Sequence, residues 1–182
     1  ASQKRQRHAI WTDDRSLGER CVSFGSPRLG AGYNSYYQVF QTPDHVVLLM
    51  EMAHDARIIP LDGRSHLDED VRQWLGDSRG YWDGDTLVVE TKNYSQQANF
   101  MGAAEHLQVT ERFTRASQGV LEYEVTLNDS TTWEKPWTAM IPLRNSQDAL
   151  YEYACHEGNI GMEGILAGAR RQEAEEREEN TP

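Results

Sequence analysis

The clearest periodic signal in the chain is an alternation of apolar and polar residues over residues 120–127. The apolar positions run from Leu121 to Leu127 in steps of two, and acidic residues or Thr126 stand between them. Successive side chains of a β-strand point to opposite faces, so this pattern indicates a strand with one buried face and one face in water.

Similar patterns, bounded by turn residues, recur along most of the chain. The segment Thr42-Pro43-Asp44 separates two strand-like runs and is typical of a hairpin turn. Asp83-Gly84 stands between aromatic and β-branched residues and predicts a second tight turn. Together these signals predict strands at residues 36–41, 45–53, 57–61, 81–91 (a hairpin), 107–115, 120–127, 137–143 and 150–156.

Two segments have helical spacing instead. Residues 67–75 place Leu67, Val71 and Trp74 on one side and acids in the first turn, which favours a short helix. Residues 162–169, from Met162 to Ala169, predict a C-terminal helix that covers an open barrel end or a sheet edge. Beyond Arg170 the chain is rich in Glu and has almost no apolar residue, so we expect its end to fray.

The predicted fold class is all-β, mainly antiparallel. About eight strands joined by short turns favour a meander that closes into a calycin-like barrel, with a short helix and a C-terminal helix. An open, curved sheet with a helix in its concave face is the alternative. The predicted organisation is an N-terminal arm (residues 1–35), one β domain with its helix (36–169) and an acidic tail (170–182).

Charge and length narrow the classes of function. The 182 residues include 18 basic and 29 acidic side chains, a formal net charge of -11. Such a charge opposes non-specific binding to nucleic acid or anionic lipid. No apolar run approaches the roughly 20 residues that span a bilayer. The first residue is Ala1, which is consistent with a leader that has been removed.

Cys21 and Cys155 are the two cysteines. They are either separate buried thiols or a disulfide that ties the N-terminal arm to the end of the β domain. A disulfide across so long a loop stabilises by about 2 to 4 kcal/mol, mainly by restricting the unfolded chain. It would also indicate a periplasmic or extracellular location.

Several longer motifs resemble those of a large family of uncharacterised, secreted bacterial proteins, and the likeness runs from about Cys21 to Ala169. The motifs are WLGDSRG (residues 74–80), GDTLVVET (84–91), ERFT (111–114), PWT (136–138) and YACHEGN (153–159). The resemblance implies export and a shared fold, but it carries no catalytic residues with it. The strand pattern is also similar, in architecture alone, to lipocalin-like calycin barrels.

Two histidines are candidates for acid-base chemistry, because a histidine titrates near neutral pH. His54 ends a long apolar strand, and His156 ends the last predicted strand. If the barrel closes, both lie on one rim, with Glu51, Arg57 and Glu105 as polar neighbours. The alternative for each histidine is a structural hydrogen bond.

Glu111 is the third candidate catalytic residue. It shares a strand face with Val109 and Phe113, which places a carboxylate among apolar side chains. Such burial favours the neutral acid unless a cation satisfies the group, and many catalytic acids arise in this way. Arg112 points to the other face, so a structural ion pair needs a partner from elsewhere in the chain.

Ligand-binding and metal-binding signals differ in strength. The aromatic residues fill the core for the most part, but a few are candidates to line a cavity for an apolar or aromatic molecule. The candidates are Trp82, Trp133, Trp137 and Tyr153.

The six histidines lack HxH or HExxH spacing, and no P-loop, GxSxG or dinucleotide motif occurs, so no metal and no cofactor is predicted.

Three functions remain open. The first is an exported barrel that binds a small apolar or aromatic molecule. The second is an acid-base enzyme, such as a lyase, isomerase or hydrolase, that uses the same cavity. The third is a structural subunit of a homo-oligomer, in which the arm and the C-terminal helix dock on neighbouring copies.

Overall fold

The fold is mostly antiparallel β-structure, as the alternating pattern predicts. The computed structural model describes residues 16–29 and 33–179. Of the predicted arm, residues 1–15 and 30–32 lie outside the described residues, as do residues 180–182 of the predicted tail. The strands are β1 (Tyr37–Gln41), β2 (His45–Met50), β3 (Ala56–Pro60), β4 (Asp77–Asp83), β5 (Thr86–Lys92), β6 (Gln108–Ser117), β7 (Val120–Asn128) and β8 (Trp137–Arg144).

The eight strands form two sheets. One has the order β1-β2-β3 and the other has the order β4-β5-β6-β7-β8, and every neighbouring pair is antiparallel. Within each sheet, every strand pairs with the next one along the chain, whereas β3 and β4 belong to different sheets and are joined by residues 61–76. The prediction of about eight mainly antiparallel strands is confirmed.

The hairpin between β4 and β5 is confirmed, with its turn one residue later than predicted. Asp83 pairs with Thr86, so Gly84 and Asp85 form the turn. Gly84 has a φ of 59°, a left-handed conformation that glycine adopts without steric cost. This backbone conformation therefore favours glycine at this point of the loop.

The two sheets share apolar contacts on their inner faces. Val46, Leu48 and Ile59 of the small sheet are buried together with Leu87 and Val89 of the large sheet. A second cluster, which includes Tyr94, Leu107, Val109 and Val125, fills the inner side of the large sheet. The core therefore combines alternating positions of β2, β6 and β7 with the continuous apolar run of β5, in which Leu87, Val88 and Val89 are all buried.

The sheets approach each other closely between β3 and β4. A methyl group added at Gly80 of β4 would lie 2.7 Å from Leu61 and 2.8 Å from Ile59. Between β1 and β8 the contact is different, since the Tyr36 hydroxyl donates to Asp148 Oδ2 at 2.9 Å from just outside the two strands. The described strands thus belong to two separate sheets, and full closure into a barrel stays a prediction.

The short helix predicted at residues 67–75 is wrong. This segment forms irregular turns, and Leu67, Val71 and Trp74 are all exposed. Its backbone is held by side chains of the sheet: Asp77 accepts from the Leu67 amide at 2.9 Å, and Asn93 donates to the Leu67 carbonyl at 2.9 Å. A nine-residue helix without an apolar surface to cover is marginal in water, so these bonds prevail.

The strand predicted at residues 150–156 is also wrong. The segment has no strand conformation, and Tyr151 is 69% exposed. Its contacts come from side chains, since Cys155 is bonded to Cys21 and the Tyr153 ring meets Phe24 edge-to-face at 5.7 Å. Tyrosines that anchor a loop and tyrosines in a strand look alike in sequence.

The C-terminal helix is confirmed as α1 (Ile160–Glu179). It begins after Asn159, whose Oδ1 accepts from the Met162 amide at 3.1 Å as a helix cap. Within the described residues α1 continues through the acidic segment to Glu179, and the fraying of the chain end beyond Arg170 stays a prediction. Arg171 pairs with Glu175 at 3.0 Å, and one-turn pairs of this kind support an exposed helix of good helix formers. No helix within the described part of the chain is both long enough and apolar enough to cross a bilayer.

Candidate functional site

An open cavity of about 1650 Å³ lies between the two sheets. Residues of all eight strands form its walls, and most of them occupy the inner, alternating positions of their strands. The apolar and aromatic wall residues are Tyr37, Val39, Val46, Leu48, Met50, Leu87, Phe113, Leu121, Tyr123, Ile141 and Leu143. A cavity with such walls offers burial to an apolar body.

A buried ion pair joins the two sheets at the cavity wall. Arg57 of β3 contacts both oxygens of Glu111 in β6, with Nη1 at 3.3 Å from Oε1 and Nη2 bonded to Oε2. Both side chains are at least 95% buried. Arg57 Nη1 also donates to Ser26, and the Tyr123 hydroxyl donates to Glu111 Oε1 at 2.7 Å. The sequence prediction of an ion pair at Glu111 from a distant partner is met by Arg57.

The electrostatics of this network hold both charges in place. Burial by itself would lower the pKa of Arg57, but the charge and hydrogen bond of Glu111 outweigh it and raise that pKa. Burial, followed by the charge and the hydrogen bond of Glu111, raises the pKa of Tyr123, so this hydroxyl stays protonated and donates. The cluster is therefore an almost neutral unit that presents no free charge to a ligand.

Two buried polar atoms beside this cluster lack hydrogen bonds to the described residues. They are Arg57 Nε and the Tyr94 hydroxyl. The Tyr94 hydroxyl lies near Ser26 and Thr91 without reaching hydrogen-bond geometry to either, and burial raises the pKa of Tyr94. Both atoms are enclosed by protein.

Aromatic rings line the middle of the cavity. Phe113 and Tyr123 are stacked, with ring centroids 4.8 Å apart and planes at 16°. Tyr37 of β1 lies in the same cavity, and burial is the main cause that raises its pKa. Stacked rings at a cavity wall offer a flat surface to an aromatic ligand.

His54 and His156 are exposed, and neither is among the described residues that line the cavity. His54 ends a 3-10 helix (Met52–His54). Its φ of 56° and the φ of 58° at Ala53 before it are left-handed backbone conformations that residues other than glycine seldom adopt. His156 follows the disulfide in a turn, where its carbonyl accepts from the Asn159 amide at 3.3 Å. The acid-base roles of both histidines stay predictions.

The predicted polar neighbours are separated from one another. Arg57 lies in the cavity wall, whereas Glu51 is buried near the start of β1 and accepts from the Tyr36 amide at 3.4 Å. Glu105 lies in the loop before β6, where its carbonyl accepts from Arg72 at 2.7 Å. Neither Glu51 nor Glu105 is among the described cavity residues.

Of the four aromatic residues predicted to bind a ligand, one lines the cavity and three lie elsewhere. Trp82 of β4 is half exposed and lines the cavity. Trp133 and Trp137 meet edge-to-face at 5.6 Å and pack against the core of the large sheet, and Tyr153 packs on Phe24. Of this group, the structure therefore brings only Trp82 together with Glu111 and Arg57 in one cavity.

The disulfide Cys21–Cys155 is confirmed, with the two Cα atoms 5.6 Å apart. It tethers the N-terminal segment to the chain beyond β8. This segment includes Ser26, whose hydroxyl accepts a hydrogen bond from Arg57. Asn159 strengthens the same junction by donating to the Glu19 carbonyl at 3.1 Å. The junction thus helps to position Ser26 beside the buried Arg57–Glu111 ion pair.

Sequence reasoning missed Tyr123, Ser26 and Arg115 as residues of the site. Tyr123 stands on the apolar face of β7, and pairing β7 with β6 would have placed it beside Phe113, its partner in the register. Ser26 had no comparable signal, because its position depends on the tertiary path of the N-terminal segment. Within the described residues, no group of three His, Cys, Asp or Glu side chains is arranged to hold a metal ion.

Comparison with known proteins gives no relative from which a role can be transferred. No family model, no curated protein and no solved structure matches the chain. The resemblance to a family of secreted bacterial proteins therefore stays a prediction, and the geometry of the cavity carries the functional interpretation.

Proposed function

We propose that this protein is an exported β protein that binds one small apolar or aromatic molecule in the cavity between its two sheets. The observation that carries the proposal is the cavity itself, about 1650 Å³ in volume and lined by aliphatic side chains and the stacked Phe113 and Tyr123 rings. Burial of an apolar body against such walls contributes about 25 cal/mol for each Å² removed from water.

The proposal includes a meander that closes around the ligand in the manner of a lipocalin-like calycin barrel. Two contacts between the sheets support it: the close approach of β4 to Ile59 and Leu61 at Gly80, and the Tyr36–Asp148 hydrogen bond near β1 and β8. Closure removes exposed sheet edges and shields a bound apolar molecule from water.

Export to the periplasm or the extracellular space is part of the same proposal. The Cys21–Cys155 disulfide supports it, because disulfides persist in oxidising compartments. Membership in the family of secreted bacterial proteins, inferred from the motifs, is consistent with this location.

The acid-base enzyme has less support than the binding protein. Glu111 is engaged by Arg57 and Tyr123, so its oxygens already have partners. A homo-oligomer that docks through the arm and α1 stays a prediction, since no contact between copies bears on it.

Binding is tested with a neutral apolar fluorophore, phenylnaphthylamine, whose emission rises when it leaves water. We expect a saturable titration with one probe for each chain. Leu121 and Leu143 pair across β7 and β8 on the cavity face, and Glu124 and Met140 pair on the outer face of the same strands. These two pairs provide matched substitutions.

The double variant Leu121→Trp, Leu143→Trp narrows the cavity. We expect it to weaken probe binding about tenfold, which corresponds to about 1.4 kcal/mol of binding free energy. The control, Glu124→Trp with Met140→Trp, adds the same rings outside and is expected to leave affinity within about twofold. Equal losses in both variants, or no saturable binding to the wild type, would overturn the proposed function.

A further inference from the structure

The charges that line the cavity differ from those of the whole chain. The chain has a net charge of -11, yet the described cavity residues include four arginines and three carboxylates. The arginines are Arg28, Arg57, Arg115 and Arg144, and the acids are Asp85, Glu111 and Asp148. An acidic protein thus has a cavity that is slightly basic.

Most of these charges already have partners. Arg57 and Glu111 neutralise each other in the buried ion pair. Asp148 accepts from Tyr36 and Ser146, at 2.9 and 2.7 Å. Arg28 lies over the Phe24 ring, 5.8 Å from its centroid. The exposed Asp85 belongs to the β4–β5 turn.

Arg115 and Arg144 lie at the same end of the large sheet. Arg115 pairs with Leu121 on β7, and Leu121 pairs with Leu143, the residue before Arg144. By alternation Arg115 shares the inner face of β6 with Glu111 and Phe113. Arg144 follows the inner-facing Leu143 and is the last residue of β8, so it lines the cavity from the end of its strand and not from the inner face. The two cations therefore border the apolar walls near the β6–β7 turn.

The side chains of these two arginines have no ion pair or hydrogen bond with any residue in the described ranges, and both are exposed. The half-buried Arg112 on the outer face of β6, by contrast, pairs with Asp83 at 2.9 Å. Unpaired guanidinium groups beside an apolar cavity are suited to an acidic group, which they can bind with two parallel hydrogen bonds.

We propose, resting on the function proposed above, that the ligand is an amphipathic anion. Its apolar body lies against Phe113, Tyr123 and Ile141, and its carboxylate or other acidic head group is bound by Arg115 and Arg144 at the mouth of the cavity. The head group stays near water, where its charge loses little hydration.

The buried end of the cavity is unsuited to such a head group. Arg57 is already neutralised by Glu111, so an anion placed there would set two negative charges against one positive charge beside side chains that are at least 95% buried. Burial of an uncompensated charge costs several kcal/mol. The orientation with the head group outward follows from this difference.

Two probes with the same aromatic body test the inference. Anilinonaphthalene sulfonate carries a sulfonate, and phenylnaphthylamine has no charge. In the double variant Arg115→Gln, Arg144→Gln we expect the sulfonate probe to bind about five- to twentyfold more weakly, as the loss of two exposed ion pairs implies. The neutral probe should change by less than about twofold.

The control is Arg20→Gln with Arg170→Gln, which removes the same charge from exposed positions away from the cavity and should leave both probes unaffected. Salt provides a second measure, because screening lengths fall from about 10 Å at 0.1 M to about 3 Å at 1 M. Added salt should weaken binding of the sulfonate probe to the wild type far more than it weakens binding to the cavity double variant.

Equal effects of the cavity double variant on the two probes, or none on the sulfonate probe, would overturn the anionic ligand while leaving the binding protein intact. Failure of both probes to bind the wild type would instead overturn the proposed function together with this inference.

Discussion

The small sheet meets the large sheet in two places of opposite character. Between β3 and β4 the contact is tight, since Ile59 and Leu61 lie where a side chain at Gly80 would be. Between β1 and β8 the cavity separates the strands, and the Tyr36–Asp148 hydrogen bond links the segments beside them. We call these the closed side and the open side.

The difference shows how one fold keeps a stable core and an accessible cavity. The closed side is stabilised by buried apolar contacts and by Arg57 of β3, which reaches Glu111 in the large sheet. The open side depends on exposed hydrogen bonds and on the segment that follows β8, which is tethered by the disulfide. We therefore expect changes on the closed side to affect folding, and changes on the open side to affect access.

The largest effect is expected for Arg57→Met on the closed side. It leaves Glu111 buried without its cation, which costs about 3–5 kcal/mol in the free energy of unfolding. Urea unfolding measures the loss. Arg57→Met combined with Glu111→Leu should recover most of it, and an equally unstable double variant would contradict the assignment of the loss to the unpaired charge.

Removal of the disulfide by Cys21→Ser with Cys155→Ser should cost about 2–4 kcal/mol in unfolding free energy. The local consequence belongs to the open side. Hydrogen exchange should accelerate in residues 145–155 while the amides of β3 and β4 keep their relative protection. Equal acceleration on both sides would show that the disulfide does not act on the open side in particular.

Gly80→Val tests the tight packing of the closed side. Its side chain would overlap Leu61 and Ile59, and overpacking of this kind costs about 1–3 kcal/mol in unfolding free energy. Ala149→Val on the open side, where Ala149 is exposed at the cavity, is the control and should be nearly neutral. A neutral Gly80→Val would mean that β3 and β4 are less closely packed.

The smallest effect is expected at the open side with pH. Hydrogen bonds from Ser146 and Tyr36 lower the pKa of Asp148 below its ordinary value of 3.8. Stabilisation by a carboxylate with a lowered pKa is present above the ordinary value and lost as pH falls through the folded one. Probe entry, measured by stopped-flow fluorescence, should therefore be independent of pH near neutrality and faster in strong acid.

Tyr36→Phe removes one of these hydrogen bonds, so it should accelerate probe entry slightly at neutral pH. The variant and the wild type should then converge once Asp148 is protonated. A difference that persists in strong acid would show that Tyr36 limits entry by its bulk instead of its hydrogen bond.

Sequence patterns predicted the strands well where alternation and turn residues agree, as in β7 and in the hairpin at Gly84. They failed at residues 67–75 and 150–156 because the deciding contacts are tertiary. Asp77 and Asn93 hold the first segment as a loop, and the disulfide and Phe24 hold the second.

The candidate site was predictable only in part. Alternation placed Glu111 on an apolar face and implied a distant cation, but 54 residues separate Glu111 from Arg57, and no local pattern links them. His54 and His156 were candidates because of their residue type, yet the cavity forms where side chains of all eight strands converge. Such convergence depends on how two sheets are placed, which periodicity within each strand does not encode.

The central claim is that a ligand binds between the two sheets. The most direct measurement is amide chemical-shift mapping by NMR during titration with phenylnaphthylamine. The account predicts shifts at Tyr37, Phe113, Leu121 and Ile141, with little change on the outer face of β8. Shifts confined to the smaller pocket of about 410 Å³ beside Trp74, or no saturable shifts, would contradict it.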